Sequence, residues 1–255
     1  MPIPPPMPPR PKVLVVLPAL NEESTVAIVV KEVQASVPEA TVLVVDDGSI
    51  DHTGERARQA GAQVVTNPFN LGVGGAMRVG FRVAESHGFD LLLQVDADGQ
   101  HDARDIALLL AAFDDEPGPQ VVIGARFAGQ HYIAVPRARR AAMRILARYL
   151  SRVTRTRLTD VTSGFRAHNR PAIELFARNY PADYLSDTVE SLIILAEAGG
   201  RIHQVPVGMR ARLAGLPSQS PARAAVYLLR VVVFLALSVF RRHSQSTRTP
   251  MTEEL

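Results

Sequence analysis

The chain carries two carboxylates separated by one small residue, Asp96-Ala97-Asp98, directly after the apolar stretch 91–95. Carboxylates at this spacing on a turn can both face one hard divalent cation, and such a cation also binds phosphate oxygens. Gln100 adds an amide oxygen two residues further on. Isolated triplets of this kind also occur in ordinary surface turns, so a purely structural interpretation stays open. The pattern predicts a cation site with Asp96, Asp98 and Gln100 as ligands if other ligand-binding loops reach the same place.

Two further polar segments, 18–23 and 46–51, also follow apolar runs. The second contains the adjacent carboxylates Asp46 and Asp47, which would repel each other unless they are hydrogen-bonded, solvated or paired. A nucleoside offers ribose hydroxyls and base N–H groups as donors to such carboxylates. A helix cap is the alternative use of the same residues. Both can hold, with one carboxylate capping a helix and the other facing a ligand.

Glycines are concentrated in the segment 70–76. The third glycine of a G-x-G-x-x-G dinucleotide fingerprint would fall at Met77, and the chain has no Gly-Lys-Ser or Gly-Lys-Thr sequence of a P-loop. We therefore expect these glycines to allow close packing of a helix against the sheet behind the site.

Charge is divided unevenly along the chain. Residues 1–125 contain 8 Lys or Arg and 17 Asp or Glu, whereas residues 126–255 contain 20 and 8. Between Arg126 and Arg170, eleven arginines accompany one acid, Asp160. Such a field attracts phosphates, anionic lipids or nucleic acid, although a general preference for arginine over lysine is an alternative explanation. Nucleic acid is disfavoured because aromatic residues make up only 5% of the chain and tryptophan is absent.

Apolar β-branched runs alternate with stretches of helical spacing through the first half of the chain. The predicted strands are 13–17, 41–45, 63–66, 91–95 and 120–123. The predicted helices are 22–37, with Asn21 as its cap, 52–60, 73–85 and 102–113. This alternation predicts an α/β fold, a Rossmann-like and mainly parallel sheet with helices on both faces. The three acidic loops then follow the carboxyl ends of strands, where open α/β sheets bind ligands.

The regular alternation weakens in the second half of the chain. The sequence there predicts helices near 137–152, 171–178 and 187–198, a loop at 162–166 and a late strand at 201–207. We expect one domain, because neither a repeat nor a separating linker is present. The chain has no cysteine, so any metal must be bound by oxygen or imidazole ligands, and a reducing cytoplasm is the simplest setting.

The two ends of the sequence differ in composition from the rest. Residues 1–11 are mostly proline and lack the features of a signal peptide, so we expect a disordered tail, and a second tail at 244–255. The apolar run 231–240 is too short for a transmembrane helix, and arginines flank it. It predicts an amphipathic helix over 221–243 in the membrane interface. A core or oligomer-interface helix is the alternative.

Six short segments follow one another in a characteristic order: Pro18–Glu23, Asp46–Thr53, Asn70–Gly72, Asp96–His101, Gly124–Phe127 and Ser163–Arg166. In order and spacing they resemble the family 2 glycosyltransferases, and within them the branch of dolichol-phosphate mannosyltransferases and polyprenyl-phosphate glycosyltransferases. The resemblance implies a GT-A domain over 12–215, a nucleotide-sugar donor of the GDP-mannose or UDP-glucose type, and Mg²⁺ or Mn²⁺. It also implies inversion at the anomeric carbon and a polyprenyl-phosphate acceptor.

The resemblance also implies roles for individual residues. The nucleoside pocket would be formed by Pro18, Leu20, Glu22, Val45 and Asp47. The diphosphate and the metal would contact Asp96, Ala97, Asp98 and Gln100. The donor phosphates would lie under a basic loop with Arg210 and Arg212, and the acceptor phosphate would bind Arg126 together with Arg137 or Arg140. Asp96 and Asp98 would act in catalysis through the metal.

A polyprenyl phosphate is already an anionic nucleophile, so this reaction needs no general base. A saccharide or small hydroxyl acceptor would need one, for which Asp187 and Glu190 are the candidates. A third hypothesis is a module that binds nucleotide-sugars without catalysis and recruits a membrane partner. We expect a cytoplasmic protein, peripheral on the inner face of the plasma membrane, with an integral-membrane partner or a homodimer as further options.

Overall fold

The computed structural model describes residues 10–126, 137–181 and 187–210, and side chains within the second range from residue 143 onward. Its strands are β1 (Val13–Ala19), β2 (Thr41–Asp46), β3 (Gln63–Thr66), β4 (Leu91–Gln94), β5 (Val121–Ala125), β6 (Arg166–Asn169) and β7 (Ile202–Pro206). Its helices are α1 (Val26–Ser36), α2 (Thr53–Gln59), α3 (Gly72–Ser86), α4 (Ile106–Ala111), α5 (Arg137–Val153), α6 (Arg170–Asn179) and α7 (Asp187–Glu197). A 3₁₀ turn at Ala103–Asp105 precedes α4.

The strands form one sheet in the order β3-β2-β1-β4-β6-β5-β7. All neighbouring pairs are parallel except those made by β6, which is antiparallel to both β4 and β5. The predicted α/β architecture with a mainly parallel sheet is therefore confirmed. The prediction missed β6, because the sequence Arg-Ala-His-Asn has none of the β-branched residues that marked the other strands.

Two hydrophobic layers enclose the sheet. On one face, side chains of α3, α5, α6 and α7 pack against alternate residues of the central strands, among them Leu14, Leu43 and Leu92. On the other face, α1 and α4 cover the intervening residues, such as Val15 and Val44. Every residue of β1 is buried, as a central strand with helices on both faces requires.

The start of α1 differs from the prediction. The helix begins at Val26, and its preceding residue Thr25 makes no capping hydrogen bond with its side chain. Asn21 is not the cap. It adopts the left-handed conformation, with φ of 55°, and its side-chain oxygen accepts a hydrogen bond from the backbone of Ile50. Asn21 therefore joins two loops at the end of the sheet instead of starting a helix.

Two glycines of 70–76, Gly72 and Gly75, act differently from the expectation. Gly72 has φ of +80° and begins α3, and a Cβ on Gly75 would lie 2.4 Å from the Cβ of Leu71, the residue that precedes this helix. Further along α3, Gly80 brings the helix close to the sheet. A Cβ there would lie 2.8 Å from a methyl carbon of Val16 in β1.

The predicted tails and the predicted helix 221–243 lie outside the described residues, apart from residues 10 and 11. Within the described ranges, no helix is both long enough and apolar enough to cross a bilayer.

The close packing of α3 against β1 predicts the effect of a single methyl group. We expect Gly80→Ala to lower the free energy of unfolding by about 1–3 kcal/mol, because the methyl group overlaps Val16. Urea unfolding measures this change. In the double variant Gly80→Ala with Val16→Ala the overlap is relieved. The free energy of unfolding should therefore fall by less in the double variant than the sum of the falls in the two single variants. Strict additivity would contradict the proposed contact.

Candidate active site

The carboxyl ends of four parallel strands bring the polar loops together at one edge of the sheet. The backbone N–H of Asp47, after β2, donates to the carbonyl of Ala19 in β1 at 2.8 Å. On the other side of β1, the N–H of Val95 donates to the carbonyl of Val16 at 3.0 Å. The strand β5 runs in the same direction and ends next to Arg126. The predicted convergence of the acidic loops is confirmed.

The turn after β4 holds its two carboxylates in different surroundings. The side chain of Asp96 is 38% exposed, whereas Asp98 is only 7% exposed as a residue and accepts a hydrogen bond from the backbone of Gln100. Burial alone would raise the pKa of Asp96. The hydrogen bond from His101 and the charges of His101 and Arg126 outweigh burial and lower that pKa below its ordinary value. Asp96 is therefore an anion at neutral pH.

The loop before β6 closes against Asp96. A Cβ on Gly164 would lie 2.9 Å from Asp96 Oδ1 and 3.1 Å from the side-chain nitrogen of Gln94. The absent side chain at this position lets the loop approach the carboxylate. Gln94 Oε1 is buried and has no hydrogen-bond partner among the described residues.

His101 contributes a contact that the sequence did not reveal. Its Nε2 lies 3.1 Å from Asp96 Oδ2, and its ring stacks on Phe165 with centroids 4.9 Å apart. The residue is 4% exposed. Its position directly after Gln100 placed it in a recognisable motif, but no pattern in the sequence indicated which carboxylate it would contact.

Arg126, the predicted acceptor-phosphate residue, is held by a buried acid. Its Nε and Nη2 donate to the two carboxylate oxygens of Asp160 at 2.6 and 2.9 Å, and Nη2 also donates to Thr162. The side chain of Asp160 is fully buried and that of Arg126 is 26% exposed. Burial lowers the pKa of Arg126, but Asp160 and Asp96 raise it by a larger amount. The guanidinium is therefore charged, fixed in place and close enough to Asp96 to influence it.

Arg210, predicted to contact the donor phosphates, binds two acids in the structure. Its Nη1 lies 3.0 Å from both carboxylate oxygens of Glu32, and its Nη2 lies 2.7 Å from Asp102. Its backbone N–H donates to the carbonyl of Gln100, which ties this segment to the turn after β4. The predicted residue Arg212 and the side chains of Arg137 and Arg140 lie outside the described part of the chain.

The predicted nucleoside residues lie around the ends of β1 and β2. Two of their side chains, those of Asp47 and Val45, are already in contact with other residues of this chain. Asp47 accepts hydrogen bonds from the Asn67 side chain and from the backbone N–H groups of Leu71 and Gly72. It thus caps the start of α3. The side chain of Val45 is fully buried in the core below the edge, so it presents no side-chain surface there.

Of the other three predicted nucleoside residues, Pro18 lies near the end of β1, and Leu20 and Glu22 lie in the loop that follows it. Pro18 is buried, Leu20 is partly exposed, and Glu22 is 8% exposed, with Oε2 accepting a hydrogen bond from Thr25.

A buried polar network lies under the loop that contains Gly164. Arg166 is 1% exposed, and its guanidinium donates to the carbonyls of Ser163 and Val161 and to the hydroxyl of Ser191. Asp187 is 3% exposed, and its burial raises its pKa to about 6 against the opposing effect of Arg166. From the sequence, Asp187 was predicted only as a candidate general base. In the structure its carboxylate is buried inside the protein.

The carboxylates of the turn fit a hard divalent cation that is completed by substrate. Within the described ranges, no group of three or more histidine, aspartate and glutamate side chains is arranged to hold a metal ion. Two carboxylates with an amide oxygen nearby, Asp96, Asp98 and Gln100, are the kind of incomplete oxygen set that Mg²⁺ uses when phosphates and waters supply the other ligands. The ionised Asp96 suits this role.

The open, mainly parallel sheet with a two-carboxylate turn at its strand ends has the architecture of the GT-A-type α/β domains. The sequence profile of Glycosyl transferase family 2 matches residues 14–176, and the chain belongs to this family. It is a glycosyltransferase.

Two curated relatives and one solved structure illustrate the similarity. The undecaprenyl-phosphate mannosyltransferase of Micrococcus luteus is 32% identical over 205 residues, which cover 77% of this chain and 82% of that protein. The polyprenol monophosphomannose synthase of Mycolicibacterium smegmatis is 31% identical over 173 residues, 65% of this chain and 64% of that protein.

The solved structure is glucosyl-3-phosphoglycerate synthase from Mycobacterium tuberculosis in complex with Mn²⁺, UDP and glucosyl-3-phosphoglycerate. It superposes with a TM-score of 0.68 at 24% identity, covering 89% of this chain and 79% of that one. At this identity the match supports the fold, and it confirms the GT-A expectation.

The Arg126–Asp160 pair predicts a stability loss with a definite pH dependence. We expect Asp160→Asn to lower the free energy of unfolding at pH 7 by about 3 kcal/mol, because the guanidinium loses its buried counter-ion. Burial raises the pKa of Asp160, but Arg126 lowers it by more, so the folded-state pKa lies below the ordinary value. The pair therefore stabilises the protein above about pH 4, and this stabilisation is lost as the pH falls further.

Urea unfolding of the parent and of Asp160→Asn between pH 3 and pH 7 measures this difference. The exposed residue Asp114 supplies the matched control, since Asp114→Asn should change stability by less than about 0.5 kcal/mol. A gap between parent and Asp160→Asn that stays constant down to pH 3 would show that the pair does not stabilise the fold.

Proposed function

We propose that this chain transfers a sugar from a nucleotide-sugar donor to a polyprenyl phosphate at a membrane surface. The observation that carries the proposal is that Arg126, held by Asp160 after β5, and Asp96, after β4, lie at the same edge of the sheet and that the charge of each shifts the pKa of the other. A fixed cation next to a carboxylate turn can bring an acceptor phosphate towards a donor diphosphate despite their mutual repulsion. The names of the two relatives, which include undecaprenyl phosphate and polyprenol, support the same acceptor class.

On the donor side, the proposal assigns the nucleoside to the ends of β1 and β2 and the loops that follow them, with Pro18, Leu20 and Glu22 beside it. Leu20 is partly exposed there, whereas Pro18 and Glu22 are buried. Asp47 and Val45 contribute through the position of the backbone, because their side chains are engaged in the protein. The diphosphate lies at the turn after β4. The donor is of the GDP-mannose or UDP-glucose type.

A divalent cation, Mg²⁺ or Mn²⁺, would be held by Asp96, Asp98 and Gln100 and supplies, when bound, positive charge for the leaving diphosphate. The chain's own contribution is to keep Asp96 ionised and Arg126 charged at the same edge. Arg210 is proposed to contact the donor phosphates only after exchanging Glu32 or Asp102 for them, and Arg212 would act with it. Arg137 and Arg140 are proposed to bind the acceptor phosphate together with Arg126.

The transfer step needs no proton acceptor. An oxygen of the polyprenyl phosphate forms the new bond to the anomeric carbon, while the bond from that carbon to the diphosphate oxygen breaks and its electron pair leaves with the nucleoside diphosphate. Attack opposite the leaving group inverts the anomeric carbon. The buried position of Asp187 disfavours that residue as the base for a hydroxyl acceptor, because a general base must reach the hydroxyl proton. Glu190, the other candidate base, is partly exposed.

The acceptor's hydrocarbon chain remains in the bilayer, so the enzyme works at the membrane surface. We propose a cytoplasmic, peripheral location on the inner face of the plasma membrane, with the GT-A domain over 12–215 and attachment through the segment 221–243. In this proposal the same segment is also the contact surface for an integral-membrane partner or for a second copy of the chain.

The proposal predicts a lipid-soluble product. The full chain is incubated with radiolabelled GDP-mannose or UDP-glucose, Mg²⁺ or Mn²⁺, and polyprenyl phosphate in detergent, and label is then measured in the organic phase. We expect transfer with one donor and none when the lipid phosphate is replaced by the corresponding alcohol. Label transferred to a water-soluble saccharide instead would favour the hydroxyl-acceptor alternative, and nucleotide-sugar binding without any transfer would favour a non-catalytic module.

A second prediction concerns the carboxylate turn. We expect Asp98→Ala to reduce turnover by about 100-fold or more, because the variant loses a ligand of the divalent cation that would stabilise the leaving diphosphate. The melting temperature, measured in parallel, should stay within a few degrees of the parent value. Asp114→Asn is the control for turnover. Parent-like, metal-dependent turnover in Asp98→Ala would show that the cation is bound elsewhere.

A further inference from the structure

His101 lies where three segments of the chain meet. Its imidazole contacts Asp96 in the turn after β4 and stacks on Phe165 in the loop before β6. Its backbone forms a bridge with Met209, in the segment that follows β7. A side chain fixed by three separate segments keeps its own position within a narrow range, so it can impose that position on a neighbour.

The neighbour is the partly exposed carboxylate of Asp96. The distance of 3.1 Å between His101 Nε2 and Asp96 Oδ2 is that of a hydrogen bond. A carboxylate anion can only accept, so Nε2 carries the proton that faces it, and this holds for the neutral and for the charged ring. The contact fixes Oδ2, and both carboxylate oxygens lie beside Gly164, where a Cβ would be 2.9 Å from Oδ1 and 3.2 Å from Oδ2.

The packing around the ring prevents it from turning away. The ring planes of His101 and Phe165 are 23° apart with centroids at 4.9 Å, and His101 is 4% exposed. The other ring nitrogen, Nδ1, is buried and has no hydrogen-bond partner among the described residues. Among the described residues, the polar contact of the buried ring is therefore with the carboxylate of Asp96.

A second buried histidine, His168, has only a structural role and serves for comparison with His101. His168 is 2% exposed, packs edge-on against Phe81, and has Nδ1 3.3 Å from the carbonyl oxygen of Leu92. Its surroundings are the core and the backbone of a strand. His101 differs because its partner is a charged side chain that is itself 38% exposed at the site.

We propose that His101 is a positioning residue for Asp96: it holds Oδ2 so that the rest of the carboxylate is presented to the divalent cation. This inference rests on the proposed function for the identity of the cation. It concerns how the ligand is held, and His101 itself binds no cation. Partners that hold a metal ligand from behind typically change metal affinity by about 10- to 100-fold when they are removed.

The test compares side chains that differ in reach and in hydrogen-bonding capacity. His101→Gln keeps an N–H donor at about the distance of Nε2, whereas His101→Asn carries its donor too close to the backbone to reach Asp96. His101→Phe keeps the stack on Phe165 and loses the donor. His168→Gln is the matched control for replacing a buried histidine. Mn²⁺ binding to each full-length protein is measured by electron paramagnetic resonance in the presence of UDP or GDP, with melting temperatures in parallel.

We expect the dissociation constant for Mn²⁺ to rise about 10- to 100-fold in His101→Phe and His101→Asn. In His101→Gln it should stay within a few-fold of the parent, and in His168→Gln it should be unchanged even if the melting temperature falls. If His101→Phe does not fold, the Gln and Asn pair alone decides the matter.

Equal Mn²⁺ affinity in all His101 variants would overturn the inference, as would an equal loss in His101→Gln and His101→Asn or a loss in His168→Gln. Absence of Mn²⁺ binding by the parent would overturn it as well. These outcomes leave the proposed transfer reaction to be judged separately, because the lipid-soluble product is measured on the parent protein without reference to His101.

Discussion

The parallel pairing of β1 with β2 and with β4 is the constraint on which the rest of the structure depends. Parallel strands require crossover helices, and these cover both faces of the sheet, so the polar residues that follow each strand are left at one edge. The hydrogen bonds from Asp47 to Ala19 and from Val95 to Val16 continue this pairing just beyond the strands. Carboxylates that are about 50 residues apart in the sequence therefore lie on adjacent loops, although each loop alone has the composition of an ordinary turn.

The charges at this edge are already paired before any ligand binds. Arg126 is held by Asp160, and Arg210 is held by Glu32 and Asp102. Such pairs keep long side chains in one conformation, so that less conformational freedom is lost when a phosphate arrives. The two arginines differ in one respect. The side chain of Asp160 is fully buried, so its ion pair with Arg126 is not readily broken. The partners of Arg210 are partly exposed, so phosphate oxygens can replace them.

The sequence was sufficient for the layered α/β architecture, because buried parallel strands are continuous β-branched runs and each was followed by helical spacing. It also suggested one site for the acidic loops, because they follow the carboxyl ends of parallel strands, but their convergence is seen only in the structure. It did not reveal β6, whose polar sequence pairs because its neighbours are already in place. Nor did it reveal the partners of Arg126 and Asp96. Asp160 and His101 reach them through contacts that depend on side-chain direction after folding, and neither spacing nor composition encodes that direction.

The central claim is that the turn after β4 holds a divalent cation together with the donor diphosphate. Anomalous diffraction from crystals grown with Mn²⁺ and a nucleoside diphosphate tests it most directly. The account predicts one strong peak at the edge of the sheet, within about 2.5 Å of carboxylate oxygens of Asp96 and Asp98 and in contact with the diphosphate. A peak at other carboxylates, such as those around Arg210, or a bound diphosphate with no metal beside it, would contradict the account.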